Sequence, residues 1–224
     1  MAAVLLVTPF TVSRLYVVDK EKNMLEQFEM IPGISVQYVI AKMTLVLAVH
    51  ALLFFSGLPV SALSCIYTGI SGIKLFRLGA MILLYAFWSG AMSIFFYTVC
   101  RKSVGAFAAT LFTQLMFILG TLVLAEIFRN GSLMMNGSGR IAPEVVGLCL
   151  LCLLLNPLSA YMGFYGSVTG DISIFGTFCS HLGIDTSNKW FILLFYKVSS
   201  LICILVGILF LVLSIWYMDK KRKT

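Results

Sequence analysis

Few residues in this chain have the type and spacing for bond-making chemistry. Cys149 and Cys152 form a CxxC, but inside the run VVGLCLLCLLL. A redox or zinc pair needs electropositive or metal-ready surroundings. On an apolar helix the two thiols read instead as small hydrophobes. His50 lies midway along an uncharged run, where an interhelical hydrogen bond is its expected role. Neither His50 nor His181 has an obvious carboxylate partner in the sequence. The HExxH of a metalloprotease, the GxSxG of a serine hydrolase and the GxxxxGK[ST] phosphate loop are all missing. The sequence therefore predicts no catalytic, metal or cofactor site in this chain, and no enzymatic activity of its own.

The residues that could do chemistry of another kind, recognition, are concentrated in Asp19 to Lys42, DKEKNMLEQFEMIPGISVQYVIAK. Four of the nine acidic residues lie there: Asp19, Glu21, Glu26 and Glu29. Asn23 with Glu26 has the spacing of a helix-capping box. Met24, Leu25, Phe28 and Ile31 recur at helical spacing, with Glu26, Gln27 and Glu29 on other faces. Pro32-Gly33 ends the helix and turns the chain. The product is a short amphipathic helix at about 21–31. A helix that only anchored to an anionic bilayer would favour Lys and Arg on its polar face. This one presents glutamates, which favours docking of a soluble protein partner through Glu21, Met24, Leu25, Glu26, Phe28, Glu29, Pro32 and Gly33.

The elements that must position this island are membrane helices. The chain of 224 residues is 60% hydrophobic and 11% charged, against about 45–50% and about 25% for a soluble domain. The formal charge of +7 comes from basic clusters at the ends of apolar runs. That is the membrane pattern, not a nucleic-acid-binding patch. The first apolar run has its basic residue, Arg14, late and its charges after it, the reverse of a signal peptide. It reads as a span with Arg14 snorkelling toward the following polar face. About 20 residues cross the hydrocarbon core, which gives spans at about 2–18, 43–65, 78–100, 103–126 and 191–217. Glu126, at the end of the fourth, is expected to pair locally with Arg129. Between Glu144 and about residue 166 the apolar run is broken by Asn156-Pro157, so it is either a broken full span or a re-entrant pair. The fold class is an all-α polytopic membrane protein, about five spanning helices plus this re-entrant or broken helix, in a single transmembrane domain over 1–224.

Basic residues arbitrate the topology. If 144–166 is re-entrant and 19–42 cytoplasmic, ten basic residues face inside and five outside. If it crosses fully, the count becomes seven and eight. The positive-inside rule prefers the re-entrant arrangement with a cytoplasmic C-terminus.

In layout the chain resembles the permeases of the ABC transporter type-2 class. Their cytoplasmic coupling segment has an EKE-type start, a Leu-rich short helix and a Pro-Ile-Ser-like turn leading to a Lys. Here these read Asp19-Lys20-Glu21-Lys22, Met24-Leu25-Glu26-Gln27-Phe28, Ile31-Pro32-Gly33-Ile34-Ser35 and Ala41-Lys42. The re-entrant region with Asn156 and Pro157, and a closing span with a basic tail, also fit that class. The resemblance implies a permease subunit in a bacterial cytoplasmic membrane. It would be driven by a separate ABC ATP-binding subunit that holds the ATP and docks on the coupling helix. It would pair with a second permease copy or a sister permease. By the same alignment the family's first span would precede Met1. Efflux of a hydrophobic, lipidic or peptide substrate is the expected transport. A non-ABC membrane scaffold or assembly protein is the alternative, and an intramembrane enzyme a more distant one. Membrane lipid is a partner under any of these readings, and nucleic acid under none.

Overall fold

The computed structural model describes residues 2–21, 34–68, 71–100, 102–136, 141–169, 173–186 and 189–223. They are almost wholly helical, with no strand among them. In chain order the helices are α1 Ala2–Glu21, α2 Ile34–Thr68, α3 Gly72–Val99 and α4 Ser103–Leu115. A π-helical turn, Met116–Gly120, leads into α5 Thr121–Asn136. Then follow α6 Pro143–Leu155, α7 Pro157–Thr169, α8 Ser173–His181 and α9 Lys189–Lys223.

Four stretches are long and apolar enough to cross a bilayer: Ile34–Leu63, Gly72–Val99, Ser103–Met135 and Trp190–Lys221. Ala3–Val17 is a shorter apolar helix, and α6 with α7 is a pair bent by 86°. The outward residues of α2 include Leu52, Phe55, Val60, Leu63 and Ile66, all exposed. An apolar surface of that extent is compatible with lipid and not with water. The protein is an all-α polytopic membrane protein.

The chain divides into two compact units. The first comprises residues 1–114 and 204–224. Its central helix is α3, whose run from Trp88 to Ile94 is buried without interruption. α1 turns Thr8, Val12, Tyr16 and Asp19 inward, and leaves Leu6, Val7, Phe10, Arg14 and Val17 outward. The inward set has the i, i+4 and i, i+3 steps of one helical face. It packs with Tyr38, Val39, Met43 and Val46 of α2 and with Ile94 and Tyr97 of α3. The expected 43–65 span lies within a helix that starts at Ile34. Ser35, Tyr38 and Lys42 can stay helical in this extra length because each is bonded to a carboxylate, as set out below.

The second unit comprises residues 115–203. Its core joins Ala125 of α5, Cys149, Cys152 and Leu153 of α6, Phe175 and Cys179 of α8, and Ile192 and Phe195 of α9. Pro143 opens α6 at a position where its missing N–H is not needed. Gly183, at φ +77°, closes α8. The Ile184 N–H turns back to the Cys179 carbonyl at 2.9 Å, the left-handed cap that glycine makes cheaply.

Candidate functional site

The docking residues proposed from sequence fall almost entirely outside the described residues. Met24, Leu25, Glu26, Phe28, Glu29, Pro32 and Gly33 lie there, and Glu21 is described only as the last backbone residue of α1. What the structure describes is how the two ends of that segment are held.

Asp19, on the last turns of α1, is buried. Its Oδ2 forms an ion pair with Lys42 Nζ of α2 and accepts a hydrogen bond from Tyr38 OH at 2.6 Å. Tyr38 and Lys42 are four residues apart, so one face of α2 presents both donors to a single carboxylate. The Lys42 and Asp19 side chains are only 13% and 10% exposed. The ammonium also lies 5.3 Å from the Tyr38 ring centre and 5.8 Å from that of Tyr16, within reach of cation–π attraction. Tyr16 stacks on Tyr97 of α3 at 5.4 Å and meets Tyr38 edge-on at 5.9 Å. A nearly dry ion pair is stabilising only where hydrogen bonds complete it. Here the Tyr38 phenol donates to Asp19 and Lys42 Nζ donates to the Leu15 carbonyl at 3.4 Å, with two ring faces beside the ammonium.

A second link adjoins it. Ser35 Oγ, two residues past the end of the undescribed segment, donates to Asp219 Oδ1 of α9 at 2.6 Å. Near that end of α9, Thr98 and Ser214 hydroxyls lie 3.1 Å apart. The segment 22–33 therefore leaves α1 just after Asp19 and rejoins α2 just before Ser35. Both exits are tied to the helices of the first unit. Sequence reasoning placed Asp19, Lys42 and Ser35 in the segment but not as bonding partners. The Tyr38–Lys42 spacing was the signal that could have found the first pair. Nothing local to Ser35 could have found Asp219, which is 184 positions away.

The break before α7 is built as a node of its own. Asn156 is fully buried. Its Nδ2 donates to the Ile118 carbonyl at 2.8 Å and to Thr121 Oγ1 at 2.9 Å, and its Oδ1 accepts the Leu158 N–H at 2.8 Å. Ile118 lies in the π-helical turn, where the widened ladder frees a carbonyl for an outside donor. Ser159 Oγ donates to the Leu153 carbonyl, and Ser199 Oγ to that of Leu154 at 2.7 Å. Where α6 stops, the Leu153 carbonyl thus takes the Asn156 N–H as well as the Ser159 hydroxyl, and the Leu154 carbonyl takes that of Ser199. Pro157, as the first residue of α7, fixes where the new helix starts.

The other residues weighed for chemistry have structural partners. His50 Nδ1 bonds to the Val46 carbonyl at 2.9 Å, and Nε2 lies 3.0 Å from Thr8 Oγ1 on α1. This is the interhelical bond expected of it. His181 does have a carboxylate partner, contrary to expectation: Nε2 is 2.9 Å from Glu126 Oε1, while Arg129 lies 3.4 Å from Oε2. A separation of 55 residues hid that pairing. Cys149 Sγ donates to the Ala125 carbonyl at 3.4 Å, and Cys152 is buried beside it in the same core. In α8, burial pushes the Cys179 thiol up to about 12, so it stays protonated and inert. Among the described residues no group of three or more His, Cys, Asp or Glu is placed to hold a metal.

The class that fold and site define is thus a helical integral membrane protein with a polar clamp at one end of its first unit. Comparison with protein-family models, with curated proteins and with solved structures found no match.

Proposed function

We propose that this chain is the membrane permease subunit of an ATP-driven transporter of the ABC type-2 kind, and that the 19–35 segment couples it to a separate ATP-binding subunit. The observation that carries the reading is the clamping of both exits of that segment. Asp19 joins α1 to α2 through Lys42 and Tyr38, and Ser35 joins α2 to α9 through Asp219. A push on a freely hinged loop would be dissipated in the loop. A push on a loop with clamped ends moves the helices that hold it. The docking face is proposed to be the glutamates and apolar residues that the sequence carries at 21–31.

The exposed apolar flanks of the helices suit a hydrophobic, lipidic or peptide substrate, and efflux is the direction proposed. A second copy or a sister permease completes the pathway. The membrane is proposed to be a bacterial cytoplasmic one, with the C-terminus inside. Affinity purification of the tagged protein from its native membranes tests this. An ATP-binding subunit is expected to come with it, and to be lost on Glu26→Lys combined with Phe28→Ala while the chain stays folded and inserted. A folded protein that retains no ATP-binding subunit would instead favour the scaffold reading.

A further inference from the structure

We infer that Arg14 and the outward stripe of α1 form a binding site for an anionic phospholipid. The stripe is Leu6, Phe10, Arg14 and Val17, all exposed, on the face opposite the buried Thr8, Val12, Tyr16 and Asp19. It is an apolar, lipid-facing surface with one cation on it. Arg14 does not turn toward the polar end of α1. Its guanidinium carbon lies 5.8 Å from the centre of the Phe10 ring, one turn back toward the N-terminus. The cause is general: Cα–Cβ bonds on a helix tilt toward its N-terminus. The Arg14 cation, near the C-terminal end of α1, is therefore laid along the apolar face of its own helix, over Phe10. The nearest carboxylate in sequence cannot serve it, because Asp19 faces inward and is held by Lys42 and Tyr38. Among the described residues Arg14 makes no ion pair.

A guanidinium cannot shed its proton to escape the cost of apolar surroundings. It needs an anion, and the anion a lipid-facing surface meets is a headgroup phosphate. The planar fork accepts two phosphate oxygens at once. Phe10 and Leu6, further along the stripe, supply the apolar track for an acyl chain. The basic run Lys220–Lys223 at the end of α9 differs in kind. It draws anionic headgroups by general attraction, whereas the Arg14 stripe offers a two-part contact to one lipid.

The test uses the full chain in nanodiscs of equal phosphatidylglycerol and phosphatidylcholine. Native mass spectrometry counts the lipids that stay bound. The wild type is expected to retain phosphatidylglycerol in preference to phosphatidylcholine. Arg14→Gln is expected to lower that preference about fivefold, the scale of one basic contact to anionic lipid. Arg14→Lys should keep part of it, having the charge without the fork. Phe10→Ala, which leaves the charge in place, should shorten the residence of the bound lipid. Lys220→Gln with Lys221→Gln should leave the retained lipid in place. Equal retention by wild type and Arg14→Gln would overturn the inference. So would loss of the lipid in the tail variant but not in Arg14→Gln. Displacement by millimolar glycerol phosphate would also overturn it, since that would mark a soluble-phosphate site and not a lipid one.

Discussion

Asp19 accepts from two donors of α2 in a place that is almost dry, so its removal would strand Lys42 beside two aromatic faces. Removing one partner of a buried pair costs about 3 kcal/mol, whereas replacing both can be nearly neutral. Asp19→Asn and Lys42→Met are each expected to lower the unfolding free energy in detergent micelles by about 3 kcal/mol. The double variant should lose clearly less than the sum, with a coupling of at least about 1 kcal/mol in the cycle. Additive losses would show that the pair is not a unit. At this scale the sequence was legible where partners are a turn apart and opaque where they are not. Glu126 with Arg129 was readable because a helix brings i and i+3 together. Thr8 with His50, Ser35 with Asp219 and Glu126 with His181 depend on how helices pack, which no local pattern encodes.

Among the elements, the elbow between α6 and α7 turns the chain by 86° at one non-helical residue, Asn156. Each arm has 13 residues, about 20 Å at 1.5 Å per residue. Neither arm alone crosses a core of about 30 Å. The bend was visible in the sequence as Asn156-Pro157, because proline starts helices well and continues them badly. What holds it was not visible. The π-helical turn at Met116–Gly120 has no signature in MFILG, and it is this turn that presents the Ile118 carbonyl to Asn156. Asn156→Ala removes three hydrogen bonds at once. With about 0.6 kcal/mol per bond as the average inside a membrane protein, it is expected to cost about 2 kcal/mol. Thr121→Val removes one of these three; it also removes the hydroxyl's bonds back to the Phe117 and Ile118 carbonyls of the preceding turn, local bonds that add little to a helix, so it should cost about a third of that. Thermal unfolding in micelles measures both. An Asn156→Ala loss no larger than that of Thr121→Val would show that the node does not fix the elbow.

For the whole molecule, apolar periodicity and the basic clusters made the class readable. The physics of a bilayer leaves few choices to a chain this apolar. At α2 the helix starts nine residues before the expected span, and there Ser35, Tyr38 and Lys42 each bond to a carboxylate. Topology can be checked by labelling from either side. Single cysteines at Asn136 and Lys221, in a background without the native thiols, are expected to be reachable from opposite faces. Reachability from the same face would require α6 and α7 to cross as one span. The central claim, that clamped exits couple the 19–35 segment to the helices, is tested most directly by ATP hydrolysis in the copurified complex, reconstituted in liposomes. With Asp19→Asn and Lys42→Met together, the ATP-binding subunit should remain bound. Its hydrolysis rate should fall to that of the isolated subunit, while the unaltered complex differs from both. Full coupling in that double variant, or a folded wild type with no ATP-binding subunit attached, would contradict the account.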